Sequence, residues 1–269
     1  MAFQTHATPG AQAPGSNWFP ANLEPLSRRF DRQHPREALR WGLTTYGKDI
    51  ALATGFGPSG VVLMHLTSQL RSNATIFYLQ TDLLFPETME LRDRLSERLG
   101  FQFTEIRPDI SLDEQTQDYG PELWRSNPDL CCSLRKVEPL RRFLAGRKAW
   151  IPAVRRDQSL TRASVKVVDW DRANHLLKIC PLAGWTRDQV WAYLREHDLP
   201  YNPLHDQGYP SVGCYPCTRA VSPGDSERSG RWAGTGKLEC GIHIQPEGKI
   251  VRRAERPTTD DRRRTNADG

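Results

Sequence analysis

No stretch of this 269-residue chain approaches the roughly 18 consecutive apolar residues of a membrane span. The first twenty residues, Met1 to Pro20, lack both a basic start and an apolar core, so no secretory leader is expected there. The expected compartment is the cytoplasm, with no membrane partner. Positive charge is also scarce where it would matter. The net charge is +5, of which the segment 249–269 carries +3 and the rest +2, too little for a DNA-binding body. That basic segment has almost no apolar residues and is expected to be a disordered, solvated tail. No internal repeat is visible. There are only six cysteines, and in a reducing compartment they are expected to serve as metal ligands or catalysts, not disulfides.

Hydrophobic residues make up 38% of the chain, enough for a packed core. Leu23 to Tyr46 reads as helix, and Asp49 to Thr54 as a short buried strand. A glycine-rich loop to Gly60 precedes a helix over Val61 to Leu70. A strand over Ala74 to Gln80, a helix from Pro86 to Gly100 and a strand over Phe101 to Ile106 follow. Strands alternating with helices at this spacing predict an α/β fold, a parallel sheet with helices on both faces. Further on, a helix over Lys136 to Gly146, a strand over Lys148 to Ala153 and an edge hairpin from Val165–Asp169 and His175–Ile179 are expected. Thr186 should cap a helix running to His197. After Pro200 the periodicity is lost. The expected organisation is a disordered arm over 1–22, one catalytic domain over 23–246 and the tail over 247–269. The segment 213–246 should fold back over the site.

Strand, glycine-rich loop and helix in succession present free backbone N–H groups at a positive helix end, which suits an anion. Here the loop is Thr54-Gly55-Phe56-Gly57-Pro58-Ser59-Gly60, without the Lys-Ser/Thr pair of ATP-hydrolysing loops. By itself such a loop is a tight turn slightly more often than a ligand site. Two arginine-bearing segments could read phosphate or sulfate or simply be solvated: Arg155-Arg156 after a strand end, and Arg228 with Arg231 ahead of Cys240.

Cys131-Cys132 and Cys214-x-x-Cys217 supply two close thiol pairs. Four soft thiolates suit zinc or an iron–sulfur cluster. Adjacent cysteines favour the cluster, because each can bind a different metal atom. Cys180 lies in an apolar setting and reads as a core thiol. Cys240, in Glu239-Cys240-Gly241-Ile242-His243, has no nearby partner. The arginines upstream would lower its pKa, as a nucleophile requires.

These segments resemble the assimilatory adenylyl-sulfate reductases, in the family that includes the phosphoadenylyl-sulfate reductases. The resemblance covers roughly residues 35–245. It rests on Leu84-Phe-Pro-Glu-Thr88, Cys131-Cys132-Ser-Leu-Arg-Lys136, Arg155-Arg156-Asp157-Gln158-Ser159, Tyr201-Asn-Pro-Leu-His205, Gly213-Cys-Tyr-Pro-Cys-Thr218 and Glu239-Cys-Gly-Ile-His243. It implies an adenine-nucleotide α-hydrolase-like fold and reduction of adenylyl sulfate to sulfite and AMP. Cys240 would be the nucleophile, forming an S-sulfonate that thioredoxin or glutaredoxin resolves. Cys131, Cys132, Cys214 and Cys217 would hold a 4Fe–4S cluster, with Lys136 between cluster and substrate. Thr54, Gly55, Phe56, Gly57, Ser59, Thr81, Arg155, Arg156, Arg228, Arg231 and His243 would line the substrate site.

Two departures bear on the substrate. The loop lacks the acidic Ser-Gly-x-Glu-Asp pattern of many cluster-bearing members, and Gln80-Thr81-Asp82 stands where Asp-Thr-Gly is usual. A 3′-phosphorylated substrate, or both substrates, is therefore the alternative. A zinc-bearing, ATP-using sulfurtransferase or adenylating enzyme on the same fold would need a Ser-Gly-Gly-x-Asp-Ser loop, which this chain lacks.

Overall fold

The computed structural model describes residues 22–70 and 73–243. The arm expected over 1–22, Asn22 apart, and the tail over 247–269 lie outside them.

Six strands form one sheet in the order β3-β2-β1-β4-β6-β5. They are β1 (Ile50–Ala53), β2 (Thr75–Leu79), β3 (Phe103–Ile106), β4 (Ala149–Pro152), β5 (Val168–Asp171) and β6 (Leu176–Ile179). All pairings are parallel except β5 with β6, the expected edge hairpin. Alternate side chains point to opposite faces. Ile50 and Leu52 of β1, Ile76 and Tyr78 of β2, and Ala149 and Ile151 of β4 enter the larger core. Ala51, Phe77 and Trp150, one position out of step, enter a second core on the other face.

The larger core is covered by α1 (Glu24–Asp31), α2 (Pro35–Tyr46), α3 (Pro58–Gln69), α4 (Pro86–Leu99) and α9 (Arg187–Glu196). The expected single helix over 23–46 is two helices. Pro35 at the first turn of α2 and His34 as its cap make a fresh start, the His34 ring accepting from the Arg36 amide. Thr186 caps α9 as expected, with Gln189 closing a reciprocal capping box.

The second face is covered by α8 (Glu138–Leu144), through Leu140 and Leu144. Before it come α5 (Leu112–Tyr119), α6 (Leu123–Ser126) and α7 (Pro128–Cys132). Between α7 and α8, Ser133–Val137 form one wide π turn. Pro139 explains it, since its ring would clash with the carbonyl of residue 135 in a regular α-helix. The expected helix over 136–146 thus begins earlier, at Pro128, and is interrupted.

The carboxyl ends of β1, β2 and β4 open on one side, where strand order reverses about β1. Open α/β sheets bind ligands at such a switch point.

Candidate active site

A cleft of about 240 Å³ lies at those strand ends. Its floor is the loop Thr54 to Gly60. The helix starts three residues earlier than expected, so Ser59 and Gly60 already belong to the first turn of α3. The Thr54 hydroxyl accepts from the Phe56 amide at 3.0 Å, which closes the turn. A side chain at Gly60 would collide with that hydroxyl. Phe56 adopts a left-handed φ of 57° and packs its ring on Tyr78 and Phe103. The loop therefore presents small residues and a helix N-terminus to the cleft.

Arg155 and Arg156 part company. Arg155 is buried in the cleft wall. It donates to Ser59 Oγ at 2.6 Å, to Asp157 at 2.8 Å and to Glu227 at 2.9 Å. Arg156, expected to bind the anion, faces the other way and bonds Asp31 at 2.9 Å and the Val165 carbonyl at 2.7 Å. Adjacent residues along an extended backbone point to opposite sides, and Arg155 is extended at φ −122°, ψ 152°. Only one of the pair can face the cleft.

The segment from Gly213 to His243 folds over the cleft and contributes Glu227, Arg228, Arg231, Trp232, Cys240, Ile242 and His243 to its walls. Its attachment is ionic. Glu239 is buried and accepts from two of the three guanidinium nitrogens of Arg162, at 2.9 and 2.7 Å, and from Thr161 at 2.8 Å and Arg228 at 3.3 Å. Burial would raise the Glu239 carboxyl, but the bonds from Arg162 and Arg228 outweigh it and hold its pKa below the ordinary range. Burial, with Arg162 beside it, brings the Arg228 guanidinium down to about 10. On the far side of Cys240, the His243 ring stacks on Trp150 at 5.7 Å, and Lys178 donates to the His243 carbonyl at 2.7 Å. Burial pushes the His243 imidazole well below its usual pKa, so it is neutral. Cys240, half-buried, sits between these two attachments.

Beside the cleft, Cys131, Cys132, Cys214 and Cys217 surround one small cavity with Leu83, Pro128, Arg135 and Lys136. Burial, then the neighbouring thiols, pushes Cys131 up to about 12, and burial pushes Cys132 to about 11. Such thiols resist ionising together unless a cation joins them, which is what a metal group supplies. Cys214 differs. Burial would raise it, yet Lys136, a hydroxyl contact from Thr81 at 3.3 Å and Arg231 bring it below its ordinary value. Among the described residues no three His, Cys, Asp or Glu side chains close on a single metal ion. Four soft thiol donors around one cavity fit a thiophilic metal group.

Lys136 links the two places. Its ammonium lowers Cys132 and Cys214 and feels Cys240 and Arg231. Burial pulls its own pKa down, but the facing thiolates outweigh burial and raise it. Thr81 likewise lines the cleft while touching Cys214. Asp82 adopts a left-handed φ of 57°, the conformation that makes glycine usual at this position. Its carboxylate bonds Arg135, which is itself buried against the Thr81 carbonyl. Sequence reasoning did not name Arg162, Glu227, Glu239 or Trp232 as site residues; Arg162 with Glu239, and Glu227 with Arg155, act through partners distant in the chain.

Comparison with known proteins agrees with this geometry. Residues 49–220 match the phosphoadenosine phosphosulfate reductase domain. The chain is 53% identical to the adenosine 5′-phosphosulfate reductase of Salinibacter ruber, over 86% of this chain and 92% of that protein. It is 50% identical to adenosine 5′-phosphosulfate reductase 2 of Bacillus subtilis, over 77% and 88%. The phosphoadenylyl-sulfate reductase of Candida auris, in a phosphate complex, superposes with a TM-score of 0.67 at 28% identity, over 77% of this chain and all of that one. The FMN adenylyltransferase of Candida glabrata shares the fold alone, with a TM-score of 0.51 at 14% identity over 82% and 79%. On the strength of that domain match and those identities, the chain belongs to the phosphoadenosine phosphosulfate reductase family.

Proposed function

We propose that the protein is a cytoplasmic oxidoreductase that reduces adenylyl sulfate to sulfite and AMP in sulfate assimilation, with thioredoxin or glutaredoxin as the reductant. The observation that carries this reading is that Cys240, Lys136, Arg228, Arg231 and the glycine-rich loop from Thr54 to Gly60 all line one cleft.

The Cys240 thiolate attacks the sulfate sulfur. The bond from sulfur to the bridging oxygen breaks, its electron pair leaves on AMP, and Cys240 becomes an S-sulfonate. Lys136, Arg228 and Arg231 hold the anionic end and offset charge on the leaving phosphate. Arg155, Ser59 and the N-terminus of α3 bind the nucleotide, with Thr54, Gly55, Gly57 and Thr81 around it. A thiolate of the reductant then attacks Cys240 Sγ, and sulfite leaves with the electron pair of the sulfur–sulfur bond. The reductant's second thiol frees Cys240 and closes its own disulfide. An outside dithiol is needed because Cys180 is 1% exposed and pushed up to about 11 by burial. Cys131, Cys132, Cys214 and Cys217 would hold a 4Fe–4S cluster. When bound, the cluster fixes charge beside Lys136 and so sets the electrostatics of the reacting end.

The second reading, a 3′-phosphorylated substrate or both, is favoured by the loop from Thr54 to Gly60, which carries no carboxylate. Measuring kcat/KM for sulfite release from adenylyl sulfate and from its 3′-phosphorylated form, with one thioredoxin, separates the two. A ratio favouring the unphosphorylated substrate supports the first reading, and the reverse ratio supports the second.

A further inference from the structure

Trp232 has three features that packing leaves unexplained. Its φ is 49°, a left-handed conformation that is strained for a bulky residue and that collects at functional sites. The strain is held in place by bonds from its own amide to the Cys217 carbonyl at 3.0 Å and from the Thr235 hydroxyl to its carbonyl at 2.8 Å. Second, the residue is 4% exposed, yet its indole N–H has no partner among the described residues. That group can only donate, so what is missing is an acceptor. Leaving a buried donor unpaired is costly, and such groups are uncommon in folded proteins.

Third, the ring gathers positive charge. Arg231 lies 4.6 Å from its centroid, and Arg228 and Lys237 lie 5.6 Å away. The electron-rich face of an indole attracts such cations. Arg228 is paired with Glu239, and Lys237 with Asp129. Arg231 has no carboxylate partner among the described residues and bonds only the Cys217 carbonyl. Gly213 leaves room for it, since a side chain there would collide with the guanidinium. A buried donor and a cation with no carboxylate partner among the described residues therefore sit side by side in the wall that also holds Cys240. Both call for an anionic oxygen.

We propose that the Trp232 indole N–H donates a hydrogen bond to an oxygen at the sulfate–phosphate end of the substrate, while the ring holds Arg231 against the same charge. This rests on the reading of the cleft as an adenylyl-sulfate site. Trp232 is thus a substrate-contacting residue as well as a packing residue.

Trp232→Phe tests this, because it removes the donor together with the five-membered ring while keeping an aromatic face beside the cations, and the adenosine arm reads any loss that comes from the missing volume alone. In steady-state assays, kcat/KM for adenylyl sulfate should fall about ten- to a hundred-fold, the loss of one hydrogen bond to a charged group. Calorimetry on Cys240→Ser protein, with and without Trp232→Phe, reads binding of adenylyl sulfate without turnover and should show the same direction. Adenosine, which lacks the anion, should bind both proteins alike. A Trp232→Phe enzyme within two-fold of the parent in both measurements overturns the proposal and leaves Trp232 a packing residue. If Cys240→Ser protein binds no adenylyl sulfate at all, the reading of the cleft fails and the proposal falls with it.

Discussion

Glu239 and Arg162 form a doubly bonded, buried ion pair, at 2.9 and 2.7 Å, one residue ahead of Cys240. The two residues are 77 positions apart in sequence. The pair ties the covering segment to the turn after β4 and fixes where the Cys240 thiol can reach. Positioning of this kind is worth more in rate than in binding, since a displacement of about 1 Å at a reacting atom can cost about a hundred-fold.

Glu239→Gln should therefore lower kcat on the order of a hundred-fold and move KM for adenylyl sulfate much less. Glu239→Asp should recover part of the rate. Iron content should stay at the parent level, because neither residue borders the four-cysteine cavity. An unchanged kcat, or a loss confined to KM, would show that the pair only packs the segment.

The two arginines after β4 should separate cleanly. Arg155→Ala should cost about 1.5–3 kcal/mol in kcat/KM, the range of a bond from a charged donor. Arg156→Ala removes a partly exposed pair with Asp31 and should cost no more than about 1 kcal/mol, in stability alone. Kinetic constants and urea midpoints for both variants check this; equal catalytic losses would return Arg156 to the site.

Serine in place of Cys131, Cys132, Cys214 or Cys217 should abolish bound iron and sulfide, because a hydroxyl is a poor ligand for iron that a soft thiolate holds. Cys180→Ser should leave both in place. Iron and sulfide analysis on anaerobically purified protein reads the outcome; a Cys214→Ser protein with full iron contradicts the ligand set.

His243 gives stability a pH dependence. Its folded pKa lies well below the ordinary 6.5, so below that pH the unfolded chain binds a proton that the folded protein refuses. Stability is complete above about pH 6.5 and falls as pH drops beneath it, by up to about 1.4 kcal/mol per pH unit from this group. His65 and His205 are depressed by burial in the same direction. His243→Phe should flatten the slope of unfolding free energy between pH 6.5 and 5 relative to the parent. An unchanged slope would assign the dependence to His65 and His205.

Much of the fold is legible because β1, β2 and β4 are short apolar runs with polar or turn-forming residues close on either side, and Thr186 with Gln189 is a local cap. The break at His34-Pro35 is legible after the fact, since Asp31 to Glu37 holds no apolar residue but Pro35, and a proline there marks a fresh first turn; reading 23–46 as one helix passes over that signal. The π turn was hidden because its cause, Pro139, acts on a carbonyl one turn back. Within the site, the meeting of the two cysteine pairs around one cavity could be read from their spacing. Which of Arg155 and Arg156 faces the cleft could not be read, because it depends on the phase of an extended backbone. The Glu239–Arg162 pair and the unpartnered Trp232 donor exist only once the covering segment has closed.

The most direct test of the account is a mass measurement. Protein mixed with adenylyl sulfate and no thiol reductant should gain one sulfonate, and peptide mapping should place it on Cys240. Thioredoxin should then remove it with release of sulfite, and Cys240→Ser protein should gain nothing. A sulfonate on any other cysteine, or sulfite release by Cys240→Ser at the parent rate, would contradict Cys240 as the nucleophile.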